Sequence, residues 1–374
     1  MTFDIRPIRS RAELSDFVRL PWRIYRADSD WVPPLTSDIE QVLDLPTLGA
    51  PATTREAFVA RRGDGVVGRV YAAFDPHLNE QKQQHAGHLS LFEAIDDLDV
   101  ARALFEHALA WLKQRGIDLV RGPVCPAGPA IDEHKGVLLD GFGSPPCVLT
   151  SYNPPYYRRL FEGSGFDKDA DVFAYRLEAA RLFTKDPARA VQYAERRYGF
   201  RTDAMDLDDL DGEVRAIKRV LDLAVPAEWA DMTPPGLDEV RQMAARLVPL
   251  VDPDLTAVVR AGDEPVGFGL AIPDYNQVLI HLNGRITPLG ALKYLWYKRR
   301  ISRIRFFIMF VVPEFRQKGV AHAIYYRVFS RGTAKGYRQG EASTIGETNH
   351  QMRADIEKMG AERYKTFRIY AKNI

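Results

Sequence analysis

Residues 306–327 read FFIMFVVPEFRQKGVAHAIYYR. The opening FFIMFVV is an apolar run of strand length, Pro313 ends it, and AHAIYYR resumes with helical spacing, so the stretch predicts strand, tight loop, helix. The loop carries Arg316, Lys318 and Gly319 to the point where the helix begins. A helix start leaves about four N–H groups unpaired and carries roughly half a positive charge, so it favours anions, phosphates above all.

Working outward from this stretch, the chain repeats itself. Residues 59–75, VARRGDGVVGRVYAAFD, align without a gap on 258–274, VVRAGDEPVGFGLAIPD, with identities that include Gly63/Gly262, Asp64/Asp263, Val67/Val266 and Gly68/Gly267. Each copy reads as strand, Gly-Asp turn, strand. The segments from Phe3 and Phe200, from Asn153 and Asn349, and the closing strands 173–177 and 367–372 correspond in the same order. The repeat predicts two domains, 1–177 and 200–374, with 178–199 as a helical linker. Each half reads as an α/β (α+β) unit with helices against a mixed, mostly antiparallel sheet. The halves carry different insertions: 122–146 is rich in Gly and Pro and reads as a loop, and 281–305 is basic.

The phosphate loop occurs once. Matching the helix ends 113–117 and 333–337 sets Asp96 opposite Arg316 and Asp99 opposite Gly319. Carboxylates there would repel a pyrophosphate, and a side chain at Asp99 would keep the backbone at a distance. Only the second half is expected to hold the anion.

Composition excludes several classes. The chain has 374 residues, 46% hydrophobic and 27% charged, with a formal net charge of +1. That balance is globular, and it gives no overall field for nucleic acid or membrane. Cys125 and Cys147 are the two cysteines and lack metal-ligand spacing, so neither a disulfide framework nor a metal site is expected. The N-terminus has no apolar core of a leader, and no apolar run approaches the ~18 residues of a membrane span. A cytoplasmic location is expected, at most peripheral to the inner membrane face.

The strand, the loop Pro313–Ala321, the long helix, the strand GEASTIGE (340–347) and Asn349 through Gly360 together resemble the acyl-CoA-binding motifs of the GNAT N-acyltransferase superfamily. The loop matches its Arg/Gln-x-x-Gly-x-Gly/Ala pattern. With the repeat, the resemblance is to tandem-GNAT proteins and covers nearly the whole chain. The strings FEGSGF, PDYNQ, HLNGR and RYKTFRIY further resemble a bacterial tandem-GNAT group, and through it the acyltransferases of bacterial ceramide synthesis. The resemblance implies that acyl-CoA (coenzyme A) is the co-substrate, without a metal. It implies that the backbone of Arg316, Gln317, Lys318, Gly319, Val320 and Ala321 cradles the pyrophosphate. It also implies that the pantetheine arm pairs with Val311 and Val312 between splayed strands, with Asn349 in the binding motif.

Acyl transfer from a thioester to an amine needs an oxyanion donor, a base and often an acid for the leaving thiolate. The strand-end N–H of Val312 is the expected donor. Glu347, at the end of the next strand, is the first candidate base, with helix capping as its bland alternative. His134, in the polar knot of Asp132, Glu133 and His134, is the second, with Glu133 assigned to substrate and a plain surface loop as the alternative. Where relatives carry a tyrosine seven residues after the motif asparagine, this chain has Ile356, which leaves Tyr364, Tyr370 or no acid. Asp274, Tyr275 and Asn276 either bind the acceptor or close a turn.

The stretch 288–305 reads as a helix packed on the sheet with solvated cations, or as a basic amphipathic surface for anionic lipid or the CoA 3′-phosphate. The expected reaction is long-chain acyl transfer to a hydrophobic or lipid amine such as a sphingoid base. Acetyl transfer to a small amine, and a non-catalytic acyl-CoA sensor, are the alternatives. A ligase using aminoacyl-tRNA would want a basic groove, which the neutral balance does not offer. The sequence leaves the oligomeric state open.

Overall fold

Both Gly-Asp turns close hairpins. In the computed structural model, which describes residues 3–43, 54–125, 135–181, 187–230 and 232–374, Arg62 pairs with Gly65 and Ala261 with Glu264. Gly63 and Gly262 take φ of 58° and 62°, the left-handed backbone such a turn demands.

In chain order the strands are β1 (Asp4–Pro7), β2 (Arg55–Arg62), β3 (Gly65–Ala73), β4 (Ala86–Ala94), β5 (Leu119–Gly122), β6 (Val137–Asp140), β7 (Asp167–Glu178), β8 (Arg201–Asp203), β9 (Thr256–Ala261), β10 (Glu264–Pro273), β11 (Arg303–Val311), β12 (Gln339–Gly346) and β13 (Glu362–Asn373). The helices are α1 (Arg11–Ile24), α2 (Thr36–Leu43), α3 (Pro76–Lys82), α4 (Leu98–Lys113), α5 (Tyr157–Gly163), α6 (Ala188–Tyr198), α7 (Leu210–Ala224), α8 (Leu237–Leu247), α9 (Asn276–Leu279), α10 (Pro288–Lys298), α11 (Val320–Ala334) and α12 (His350–Lys358). This is the mixed α/β architecture expected, with antiparallel pairs prevailing and helices on the sheet.

The chain forms two compact units, one of Met1–Phe173, Asn276–Arg299 and Lys365–Ile374, the other of Ala174–Tyr275 and Arg300–Tyr364. Packing thus cuts across the division at 177 and 200 that the duplication suggests. The reason is a strand pairing: the end of β13 lies antiparallel to β5, from Tyr370 beside Gly122 to Asn373 beside Leu119, and Phe367 and Arg368 pair with β6. Strand β6 itself lies in the stretch 122–146 read as loop, where GVLLD carries alternating side chains between glycines.

In the first unit α4 lies on the hairpin. A Cβ on Gly68 would stand 2.6 Å from Leu104 and 3.1 Å from Val100, so the helix seats only because that position is bare. Stacked Phe92 and Phe105, with Phe161 and Phe166 around them, fill the space beneath. The second unit repeats the device. A Cβ on Gly267 would meet Val320 at 3.0 Å and one on Gly269 would meet Ile324 at 2.3 Å, both on α11. Phe306 packs against Tyr325 and Phe329 on that side of β11.

Because Ile324 Cγ2 sits on a stiff β-branched carbon, it cannot retreat from a new side chain. Gly269→Val should therefore cost about 1–3 kcal/mol of stability. The loss is read as a lower urea midpoint at unchanged slope.

Candidate functional site

The loop after β11 is built to leave a helix end open. Pro313–Phe315 makes one turn of 3₁₀ helix, Gln317 takes φ of 62°, and Gly319 takes φ of 86° as the N-cap of α11. No side chain caps this helix, so the first-turn amides of α11 receive nothing from the cap. A non-glycine residue held at positive φ, as Gln317 is, is uncommon and clusters at ligand clamps. Arg316 straps the loop, its Nε donating to Val311 O at 3.3 Å and its Nη2 to Ala224 O at 3.1 Å. Lys318 Nζ lies 4.6 Å from the Phe315 ring centroid. Gly319 is also sterically required: a Cβ there would stand 2.8 Å from Ala194 on α6.

The first unit closes the same position. Asp97 caps α4, its carboxylate accepting from Asp99 N at 3.1 Å and Val100 N at 3.4 Å and pairing with Arg62 at 2.6 Å. The hydrogen bond from Arg62 leads the causes that hold this carboxyl below its ordinary range. The carboxylate at the helix start is thus Asp97, and Asp99 lies inside the first turn. Asp96 is exposed and paired with Arg159.

Beside the loop, two strands part. The parallel pairing of β11 with β12 runs from Arg303–Gln339 to Phe306–Ala342, after which β11 continues to Val311 and β12 to Gly346 without further pairing. The expected role of Val312 as oxyanion donor needs correction. Val312 N–H already donates to Val266 O at 3.0 Å, and Val311 faces Gly267 across the ladder. Strand amides alternate in direction, so those of Met309 and Val311 point to the vacated edge. Val311 N–H, not Val312 N–H, is thus the strand-end amide directed at the vacated edge.

Beneath this gap lies a polar group that sequence reasoning missed in part. Arg305 and Glu341 occupy paired positions on β11 and β12, at 0% and 1% exposure. They lie on the face of the sheet opposite Phe306 and α11, since alternate strand residues face opposite ways. Arg305 donates from Nε to Ser343 Oγ and from Nη2 to Ser343 O, both at 3.0 Å. Ser343 Oγ donates to Glu341 Oε1 at 2.6 Å, and the Tyr364 hydroxyl donates to Glu341 Oε2. Burying charge is costly unless it is paired and hydrogen-bonded, and a cluster that meets this cost at a strand gap is a candidate for chemistry. The available signal was a glutamate set inside GEASTIG, where small residues surround it.

The remaining candidates are placed as follows. Glu347 follows β12, half-buried, and its carbonyl accepts from Arg353 Nη1 at 2.8 Å. Asn349 caps α12, its side chain accepting from Met352 N at 3.2 Å. Tyr370 is buried in the first unit, its hydroxyl 3.3 Å from Glu162 Oε1. Asp274 is fully buried and ion-paired with Arg303 at 2.6 Å, so it presents no surface to an acceptor. Tyr275 is buried, with its hydroxyl 3.5 Å from Leu250 O, and Asn276 donates to Pro146 O at 3.0 Å. Glu133 and His134 lie outside the described residues.

A cavity of about 540 Å³ in the first unit is walled by Arg19, Arg23, Arg285, Asp16 and Asp64 among others, none of them at the strand gap. Among the described residues no group of His, Cys, Asp or Glu is placed to hold a metal ion, and no helix is long and apolar enough to cross a membrane.

No protein-family model matches the chain. Among solved structures, a tandem GNAT protein from the clavulanic acid biosynthesis pathway superposes with a TM-score of 0.60 at 12% identity, over 100% of this chain and 98% of its own. Protein YghO of Escherichia coli (strain K12) is 28% identical over 377 residues, 99% of this chain and 95% of that protein. A protein named bacterial ceramide synthase from Caulobacter vibrioides (strain NA1000 / CB15N) is 30% identical over 385 residues, 98% of this chain and 96% of that protein. With an uncapped helix start beside parted strands in its second unit, the chain shares the fold of the tandem GNAT protein, and by its likeness over nearly its full length it belongs to the family of the Caulobacter protein.

Proposed function

We propose that the protein is an acyl-CoA-dependent N-acyltransferase that moves a long acyl chain from its thioester to a hydrophobic amine, a sphingoid base being the acceptor class. The observation that carries this reading is the uncapped start of α11 at Gly319, set at the end of a strand whose neighbour has parted from it. The amides of Gln317, Gly319, Val320 and Ala321 would bind the pyrophosphate, those of Arg316 and Lys318 already donating to Pro313 O and Phe315 O at 3.2 and 3.3 Å, and the edge of Met309 and Val311 would pair with the pantetheine arm. The first unit, with Asp97 in the corresponding cap, is left for the acceptor side.

The amine nitrogen attacks the thioester carbon, the carbonyl oxygen gains charge, and the C–S bond breaks. Val311 N–H would donate to that oxygen. Tyr364, hydrogen-bonded to Glu341, is the group proposed to move protons: the buried carboxylate accepts the proton that the ammonium loses, by way of the phenol. Arg305 and Ser343 position Glu341. A CoA thiolate leaves readily because its thiol pKa is near that of cysteine, about 8.5, so the same phenol can return the proton after the bond breaks. The length of the acyl chain and the lipid acceptor rest on the name of the Caulobacter relative and on the sequence strings shared with that group.

The test offers palmitoyl-CoA or acetyl-CoA with sphinganine or a small polar amine. Free thiol is followed, and the product is identified by mass spectrometry. N-palmitoyl sphinganine as the preferred product is expected. Acetylation of the small amine alone would replace the long-chain reading, and coenzyme A binding without turnover on any amine would reduce the protein to a sensor.

A further inference from the structure

The segment from Tyr275 to Pro313 contains no acidic residue, although the whole chain is nearly neutral. Within it α10 is almost entirely exposed, and the direction in which it faces is unusual. Its inner side is made of Gly290, Tyr294 and Tyr297, the last stacked on His281 at 3.7 Å. Leu289, Leu292, Leu295 and Trp296 are 66, 65, 59 and 50% exposed, and at 100° per residue they form one stripe on the opposite, outward side. Ile286, just before the helix, is 59% exposed. Lys293 and Lys298 flank the stripe, and Arg285 and Arg299 bracket the helix, all four exposed.

A surface helix of a water-soluble face turns its apolar stripe inward, whereas this one turns it out. The helix is fixed in that pose at its start, where Thr287 caps it by accepting from Gly290 N at 3.0 Å. Lys, Arg and Trp around an outward leucine stripe match the chemistry of a helix lying in a lipid headgroup layer. A second copy of the chain is the poorer partner. A two-fold contact would set these cations against their own images with no acid on the segment to answer them.

We propose that α10 docks the first unit on an anionic lipid bilayer, with Leu289, Leu292, Leu295 and Trp296 entering the headgroup–acyl boundary and Lys293, Lys298, Arg285 and Arg299 meeting lipid phosphates. This surface involves none of the residues of the loop or the strand gap, so it stands independently of the proposed reaction.

The full-length protein is sedimented with phosphatidylcholine vesicles that contain or lack phosphatidylglycerol. Binding is expected with the anionic lipid, and weakening as salt rises. The triple variant Leu292→Ser, Leu295→Ser, Trp296→Ser should bind at least about a hundredfold more weakly while its circular dichroism shows a retained fold, since within the protein the change removes the edge contact of half-exposed Trp296 with Tyr297. Lys293→Glu and Lys298→Glu should each lose about fivefold or more. Wild-type protein that stays in the supernatant with anionic vesicles overturns the proposal. So does a stable dimer that dissociates in the triple variant while vesicles compete with neither form.

Discussion

Gly319→Val should weaken coenzyme A binding at least about a hundredfold, because two independent requirements at that residue fail together. Its φ of 86° is a conformation that a β-branched residue does not tolerate, and its Cβ would press on Ala194 at 2.8 Å. The loop must then rotate the amides of Gly319, Val320 and Ala321 away from one another. A diphosphate would lose several charge-assisted hydrogen bonds, each worth about 1.5–3 kcal/mol. Calorimetric titration with coenzyme A gives the affinity, and the thermal midpoint separates loss of the cradle from loss of the fold. The reciprocal change in the first unit supplies contrast: Asp97→Gly should leave coenzyme A affinity as it was and cost about a few tenths of a kcal/mol of stability through the lost cap. Unchanged affinity in Gly319→Val would place the cofactor elsewhere and end the proposed function with it.

Glu341→Gln should lower kcat by about a hundred- to ten-thousandfold while coenzyme A affinity stays within about threefold, the split expected when a proton acceptor is lost from a site that still binds. Glutamine keeps the volume and can still accept from Ser343 and Tyr364, so the strand geometry survives. What disappears is the carboxylate. Tyr364→Phe tests the same path at its outer end and should lose a similar factor. Combining the two should cost little more than either alone, because groups that act as a unit are not additive. Glu347→Gln serves as the comparison. If Glu347→Gln abolishes turnover and Glu341→Gln does not, the base is the residue at the strand end and the buried network is structural.

Particular residues show where the sequence was legible and where it was not. The Gly-Asp turns at 63 and 262 and the strand–loop–helix around Gly319 could be read because each requirement is local, whereas the glycines beneath α4 and α11 answer to helices far along the chain. Choosing Val312 over Val311 failed for a reason of parity: which of two neighbouring amides faces the gap depends on how β10 sets the register, and no local signal records it. The group of Arg305, Glu341, Ser343 and Tyr364 comes from three separated segments, so no motif contains it. In α10 the periodicity revealed the apolar stripe but not whether it faced protein or solvent. The sequence left Asp274 open between acceptor and turn because its ion-pair partner, Arg303, lies 29 residues away on β11 and no local signal records the pairing.

The pairing of β13 with β5 has an effect on biogenesis. Tyr370 meets Gly122 only once β13, translated after the second unit's own segments, has left the ribosome, so the first unit cannot finish assembling when its first 173 residues have been made and its β5 edge waits, unpaired, for that strand. Premature termination before β13 would therefore damage the portion of the protein that was translated first.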